Sequence, residues 1–486
     1  MSDRTAAPTN DLSRLVWSVL AAALIAKAIM AFFDHEPLFI IGDSMVYITS
    51  AFGSGGPSDR SFAYGRYFIR PLLWIFGSLD AVVVAQAVLS ACCAAMLAGI
   101  LRLGFGVRRW ICVVVALLYV FEPLALLYER MMMTEGPALF CLAGFLLLGV
   151  FYLERQSLWL LCGMAAASVA CVAFRVSMLP VVMVSIVMLP PLALLRRWPL
   201  PRAMLARCAV HLVVGVGLTF AMHAWYKHLY RKVTGEPAAY SSADGFFLLA
   251  GWAPLVTRAD FPDPTVFDRI RPTLGADLAN RFQRPGQRFL PNGLIGRLIE
   301  SERNNDRAAN ALARQIAMNI VRRDPLGVVA LGWRTYLDFW DPDVMARVVW
   351  VDEGQQEADQ VLIDKFRDRY GEDIAGHQLT RTWVKAWHAR AMLWYRFVLL
   401  APLVWLAAFV LRPRCWRPML LLGVSTVGLL AIDTMLVTEP VVRYLHSIAW
   451  LTVLLCGVIV QGLRDLLARL HGRMIADRGT AQRPAQ

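Results

Sequence analysis

Apolar runs of about 20 residues recur from one end of this chain to the other, each long enough to cross a bilayer's hydrocarbon core as a helix. Inside that core no water can satisfy backbone N–H and C=O groups, and a helix satisfies them within itself. The chain therefore reads as an all-α polytopic membrane protein. Composition agrees: 58% of residues are hydrophobic and 17% charged, and the mean hydropathy is +0.51. Window length and flanking charge place spans near 14–33, 79–102, 110–128, 135–153, 158–174, 177–195, 204–226, 392–411, 418–437 and 441–462, about ten in all. The first run is too long for a signal-peptide core and no small-residue cleavage site follows it, so it is expected to stay as an anchor.

A formal net charge of +13 invites a nucleic-acid reading, but most of the arginine sits in short clusters between apolar runs, where the positive-inside rule puts it. The charge reports topology, and nucleic acid is not an expected partner. "RLGFGVRRW", "ERQ", "RRWPLPRAMLAR", "RPRCWRP" and the tail "RDLLARLHGRMIADRGTAQR" alternate so as to share one side with Arg4 and Arg14. That side is cytoplasmic, and so are both termini. The opposite side receives the first loop (34–78), short links around 129–134, 174–177 and 438–441, and one long segment, 227–391.

This divides the chain into an N-terminal tail (1–13), a membrane module (14–226), the long outer segment (227–391), C-terminal spans (392–462) and a basic tail (463–486). The outer segment carries "FPDPTVF" and "RPGQRFLPNG", then a charged helical stretch, and should fold on the membrane. Within it, "PLGVVALGWRTYLDFWDP" (325–342) is apolar, yet Arg334 and Asp338 beside Trp333, Tyr336 and Trp340 suit an interfacial helix. One further span would also move the last two basic clusters outside. All nine cysteines lie inside apolar runs or near cytoplasmic ends, with no zinc or disulfide spacing. They read as packing residues.

Asp43, Arg66, Arg70, Glu129, Glu135, Arg175, Glu439, Arg443, Tyr444 and His446 come from five places in the chain, and all land at the outer ends of helices. Each has a plainer explanation. Asp43 fits an N-cap after Gly42, with Met45, Ile48 and Phe52 on the apolar side of a short helix. Thr134 and Glu135 in "TEGP" fit a capped helix start. Arg175 and Arg443 fit interfacial anchors that snorkel to headgroups. Lys27 and Asp433 lie deeper, where a structural pair is the default. His211 and His223 share a helix without ligand-spaced partners, which favours packing over metal binding.

Together these residue types suit one chemistry at a membrane surface. A hydroxyl attacking an anomeric carbon must lose its proton to a positioned carboxylate, and a departing lipid phosphate needs guanidinium or ammonium charge. Asp43 offers the base. Arg66, Arg175 and Arg443 offer the clamp, with geometry suited to bidentate phosphate contacts. Tyr47, Tyr64, Tyr67 and Trp252 are candidates to stack on sugar, or members of an interfacial aromatic belt.

"GDSMVYITSA", "YGRYFIRPLLWIFG", "VVAQAVLSACCAAML", "FEPLALLYERMMMTEGPALF" and "AFRVSMLP", in that order over roughly residues 14–250, resemble the module of the GT-C membrane glycosyltransferases. The likeness is to the branch with protein O-mannosyltransferases and the lipid A aminoarabinose transferase. It implies a GT-C-like helical bundle, a polyprenyl-phosphate sugar as donor and a cell-envelope acceptor. It also implies Asp43 as catalytic base and Glu135 beside the acceptor or donor pocket. "EPVVRYLHS" is similar to an Arg-Tyr element of that family, which implies phosphate binding by Arg443 with Tyr444. Relatives often carry a second acidic residue where this chain has Ser44, so no required metal is expected, and no cofactor. The expectation is an inverting glycosyltransferase of a bacterial-type cytoplasmic membrane with a periplasmic active site. An O-antigen ligase or polymerase type, and a transporter or flippase for a lipid-linked anion, stay as alternatives. Transport is disfavoured by polar groups gathered at one surface and by the lack of an inverted repeat.

Overall fold

The computed structural model describes residues 9–40, 42–53, 61–194, 201–354, 357–375 and 382–481. Among them every named element is helical, and the β pairing is an isolated parallel bridge between Leu38 and Met131. Arg4, Arg196, Arg197 and Arg483, expected among the cytoplasmic charges, lie outside the described residues.

Seven helices are long and apolar enough to cross a membrane: Asn10–Phe33, Asp80–Phe105, Glu135–Arg155, Val176–Leu194, Arg202–Thr234, Pro413–Met435 and Val442–His471. Two bent pairs bring the number to nine if each is one span: Arg109–Val120 with Pro123–Arg130, at 50°, and Met392–Leu399 with Ala401–Leu411, at 59°. The protein is a multi-pass, all-helical membrane protein. The tenth expected span, 158–174, is the 17-residue helix Leu158–Phe174. At 1.5 Å per residue it rises about 26 Å, less than the hydrocarbon core of about 30 Å. It stops because Arg175 leaves the helical region, with φ −146° and ψ 103°.

Both bends have a local cause. Proline has no N–H to donate and is tolerated in a first helical turn. Pro123 and Pro402 each open the second member of a pair. At the first bend Glu122 caps the new helix, accepting from the Ala125 N–H at 2.7 Å.

The main buried cluster joins helices from both ends of the chain, running from Leu15 to Cys208 and again from Phe339 to Val458. Thr9–Phe33 packs on Asp80–Phe105, and Glu135–Arg155 packs on Asp80–Phe105 and Leu158–Phe174. The last helix, His446–Ala481, packs on Ala401–Leu411 and Arg109–Val120. Within 227–391 most buried apolar residues fall into two sets, with Tyr230 packed in a smaller cluster with Phe62 and Tyr226. Those from Ala243 to Leu331 form a core of their own, whereas Phe339, Met345, Val348, Leu362, Phe366 and Val384 belong to the main cluster. The Pro325–Asp338 helix packs on Trp416–Met435 and leaves Leu326, Val329, Trp333 and Leu337 exposed.

His211 and His223 join helices, as packing residues do. The Tyr152 hydroxyl lies 2.9 Å from His211 Nδ1. His223 reaches Ser168 Oγ at 3.1 Å through Nε2 and the Tyr240 hydroxyl at 2.9 Å through Nδ1. His223→Ala removes both contacts, leaving Ser168 its bond to the Ala165 carbonyl, and should cost about 1–3 kcal/mol, read as a lowered thermal midpoint in detergent. An unchanged midpoint would count against a packing role.

Candidate functional site

The first loop is tied down before it reaches Asp43. Leu38 donates its N–H to the Arg130 carbonyl at 2.8 Å, and its own carbonyl accepts from Met132 at 2.9 Å. Gly42 then takes φ +78°, in the left-handed region that favours glycine, and the helix Asp43–Ala51 begins. Asp43 is the first helical residue, and Gly42 before it occupies the N-cap position. The Asp43 Oδ2 meets Arg443 Nη1 at 2.6 Å, across 400 residues of chain. The N-cap position expected of Asp43 thus falls to Gly42, one residue earlier.

Arg443 lies in the short turn Val442–Leu445. Its backbone N–H donates to Asp352 Oδ2 at 2.8 Å, and Asp352 also accepts from the Tyr128 hydroxyl at 3.4 Å. Arg443 Nη2 reaches the Tyr444 hydroxyl at 3.4 Å. The Tyr444 ring takes a cation–π contact from Arg443 at 5.2 Å and another from Arg175 at 4.7 Å. Arg175 in turn pairs with Asp433 at 3.4 Å and donates to Ser177 Oγ at 3.1 Å. Glu135 opens its helix at the positive end of the dipole. Its charge acts on Arg443, Asp352 and Asp433.

Five of the expected site residues thus meet in one cluster: Asp43, Glu135, Arg175, Arg443 and Tyr444. The four carboxylates of the cluster are nearly inaccessible, with Asp43 5%, Glu135 3%, Asp352 1% and Asp433 4% exposed. The Arg443 guanidinium serves Asp43 and that of Arg175 serves Asp433, while Asp352 takes the backbone N–H of Arg443. Thr134 does not cap its helix by side chain, and its hydroxyl lies 3.5 Å from Glu135 Oε2.

Tyr47 sits one turn along from Asp43, buried and edge-to-face with Tyr64 at 5.2 Å. The Tyr64 hydroxyl donates to Gln86 Oε1 at 3.0 Å. Gln86 donates to the Glu129 and Met131 carbonyls at 3.1 and 2.9 Å. Behind Tyr47 is therefore a hydrogen-bonded support that ends on the segment leading to Glu135. Arg66 stands apart: half-buried on Tyr64–Ile69, it makes no hydrogen bond or ion pair with the cluster. Trp252 is buried and donates to the Met435 carbonyl at 2.7 Å, a structural use. Tyr67 is 52% exposed. Lys27 and Asp433 are both paired, though not with each other: Lys27 with Glu129, Asp433 with Arg175.

Gly65 holds the two parts of the site together. A Cβ there would lie 1.8 Å from Ser50 Oγ and 2.4 Å from the Tyr47 carbonyl oxygen. The carbonyl is backbone and cannot swing aside, so Gly65→Ala must push away the helix carrying Asp43 and Tyr47. It should destabilise the protein by about 1–3 kcal/mol, seen as a lower thermal midpoint.

Asp352, Tyr128 and Gln86 were not expected at the site. Asp352 ends the helix Pro342–Asp352, whose Met345, Val348 and Val349 are buried. A carboxylate closing an apolar helix face is the one local signal it gave. Burial holds its carboxyl up at about 7, against the charge and backbone N–H of Arg443. The folded protein keeps this proton more tightly than the unfolded chain does. The contribution to stability is complete below the ordinary aspartate value of 3.8 and is lost as pH rises through about 7. Asp352→Asn should remove that loss, so the stabilities of variant and wild type should diverge between these values by at most about 1.4 kcal/mol per pH unit. Parallel unfolding curves across that window would exclude it.

An open cleft of 670 Å³, lined in part by Thr257, Arg258, Asp268 and Arg271, lies in the unit with its own core and contains none of the cluster residues. Its Arg258 and Asp268 are exposed and paired at 2.8 Å. The buried acid–base cluster has the more reactive arrangement. Among the described residues, no group of three or more His, Cys, Asp or Glu side chains is placed to hold a metal ion. No protein-family model matches the chain, and no curated protein matches it.

Proposed function

We propose that this protein is an inverting glycosyltransferase that moves a sugar from a polyprenyl-phosphate carrier to a hydroxyl of a periplasmic cell-envelope acceptor. Its place in this reading is a bacterial-type cytoplasmic membrane, with both termini cytoplasmic and the Asp43 cluster at the periplasmic face. The observation that supports it is the contact of Asp43 with Arg443, extended through Tyr444 to Arg175. One carboxylate able to take a proton stands beside two guanidiniums able to take a phosphate.

In this reaction the acceptor hydroxyl gives its proton to Asp43 as its oxygen bonds to the anomeric carbon. The bond from that carbon to the phosphate oxygen breaks, and polyprenyl phosphate leaves with the electron pair. Arg443 and Arg175 stabilise the charge that develops on the phosphate. Glu135 holds a sugar hydroxyl, and Tyr47 packs beside it. Arg443 is engaged by Asp43 here, so donor phosphate takes over part of that guanidinium and releases the carboxylate for the acceptor. Arg66, outside the cluster, is left to the mouth of the site.

The test is reconstitution in liposomes with a panel of polyprenyl-phosphate sugars and envelope acceptors. Released polyprenyl phosphate should match acceptor-linked sugar mole for mole. Movement of intact donor between leaflets with no release would replace the transferase with a flippase.

A further inference from the structure

The bent pair Met392–Leu399 and Ala401–Leu411 carries a cation, Arg396, for which the described residues supply no counter-charge. Tyr395, Val398 and Leu399 face inward and are buried. Tyr395 bonds His388 Nδ1 at 2.6 Å, and Trp394 donates to Glu122 at 2.7 Å. Arg396 lies on the other face, with Leu393 and Phe397, which are 79% and 37% exposed, and with Leu400 one turn on. Among the described residues Arg396 makes no hydrogen bond, ion pair or ring contact, and its Nε is buried without a partner. An arginine on the outward stripe of an apolar span is costly unless it reaches a headgroup or an anion.

Directly below it runs a groove of 420 Å³. Phe397, Leu400, Val404 and Ala407 form one wall, and Ile459 and Val460 of the last helix face them. The lining is apolar throughout. It begins at Phe397 and Leu400, at the 59° bend, and then follows the Ala401–Leu411 helix as far as Ala407. The helix that carries Arg396 also packs against Val442–Leu445, so the charged mouth opens at the same end of the bundle as Arg443.

We infer that Arg396 and this groove form a binding site for an anionic phospholipid, with the phosphate on the guanidinium and one acyl chain between the two helices. The occupant follows from charge and shape together: a lone cation at the mouth selects an anionic headgroup, and a groove without polar atoms selects a hydrocarbon chain. The site is separate from the Asp43 cluster and does not depend on the reaction assigned there.

The full chain in phosphatidylcholine discs containing a minority of phosphatidylglycerol, then extracted into detergent, is the material for the test. Native mass spectrometry should find phosphatidylglycerol retained over phosphatidylcholine. Arg396→Gln should reduce that preference about tenfold, the scale of one charged hydrogen bond, with no change in thermal midpoint, since no protein partner is lost. Ala407→Phe, filling the groove from an exposed position, should reduce retention of either lipid. Equal retention of both lipids by wild type would mean an ordinary annular lipid and overturn the assignment. So would undiminished preference in Arg396→Gln, or undiminished retention in Ala407→Phe. Displacement of phosphatidylglycerol by added polyprenyl phosphate would give the groove to the transfer donor and equally overturn it.

Discussion

Asp43→Asn is expected to slow sugar transfer by about 10²- to 10⁴-fold, the usual contribution of a positioned general base. Asparagine keeps the size and one acceptor oxygen of aspartate but cannot take the acceptor's proton. The substitution also removes the charge now held 2.6 Å from Arg443. Donor phosphate then meets a guanidinium with one competitor fewer, and donor affinity should hold or rise. The pairing of lost turnover with retained or tighter donor binding separates a base from a purely structural aspartate, whose loss would weaken both. Single-turnover rates and donor binding on the same reconstituted sample read the two quantities. Unchanged transfer by Asp43→Asn removes this carboxylate from the chemistry.

Arg443→Ala should have the largest combined effect, because it strikes stability and transfer together. Asp43 and Asp352 each bond Arg443, one through the guanidinium and one through the backbone N–H. Removing the guanidinium leaves the buried Asp43 carboxylate without its cation, and breaking a buried pair in this way costs about 3–5 kcal/mol. Arg443→Lys keeps charge but loses the planar fork, so stability should recover more than transfer does. The double variant Asp43→Asn with Arg443→Gln separates the two effects, since neutralising both partners should restore much of the thermal midpoint while turnover stays lost. Recovered turnover in that double variant would falsify the assigned roles.

Much of the architecture was legible in the chain because membrane helices obey a local rule. Length of apolar run decides whether a segment crosses, and the positions of nearly all the expected spans reappear as helices. The exceptions have visible causes. Leu158–Phe174 is cut short by Arg175, and two of the expected spans are bent helix pairs in which a proline opens the second member. Hydropathy averages over a window and does not register a missing N–H.

The site was half legible. Asp43, Glu135, Arg175, Arg443 and Tyr444 stand out in the sequence by lying at the outer ends of apolar runs and by suiting one chemistry, and the structure gathers all five. Which of them touch could not be read, because partner choice depends on helix rotation and packing across hundreds of residues. Arg175 takes Asp433 and leaves Lys27 to Glu129. Arg66 carries the same charge as Arg443 but faces elsewhere.

By itself the sequence determined an all-helical, multi-pass membrane chain, because the cost of an unsatisfied backbone in hydrocarbon is met within each helix and needs no distant partner. Only the tertiary structure decided that Asp43 closes on Arg443, that Asp352 from the long intervening segment supports it, and that Arg396 is left facing outward beside an apolar groove. Those outcomes follow from how the helices turn and pack against one another, and a buried charge takes whichever counter-charge that packing brings within reach.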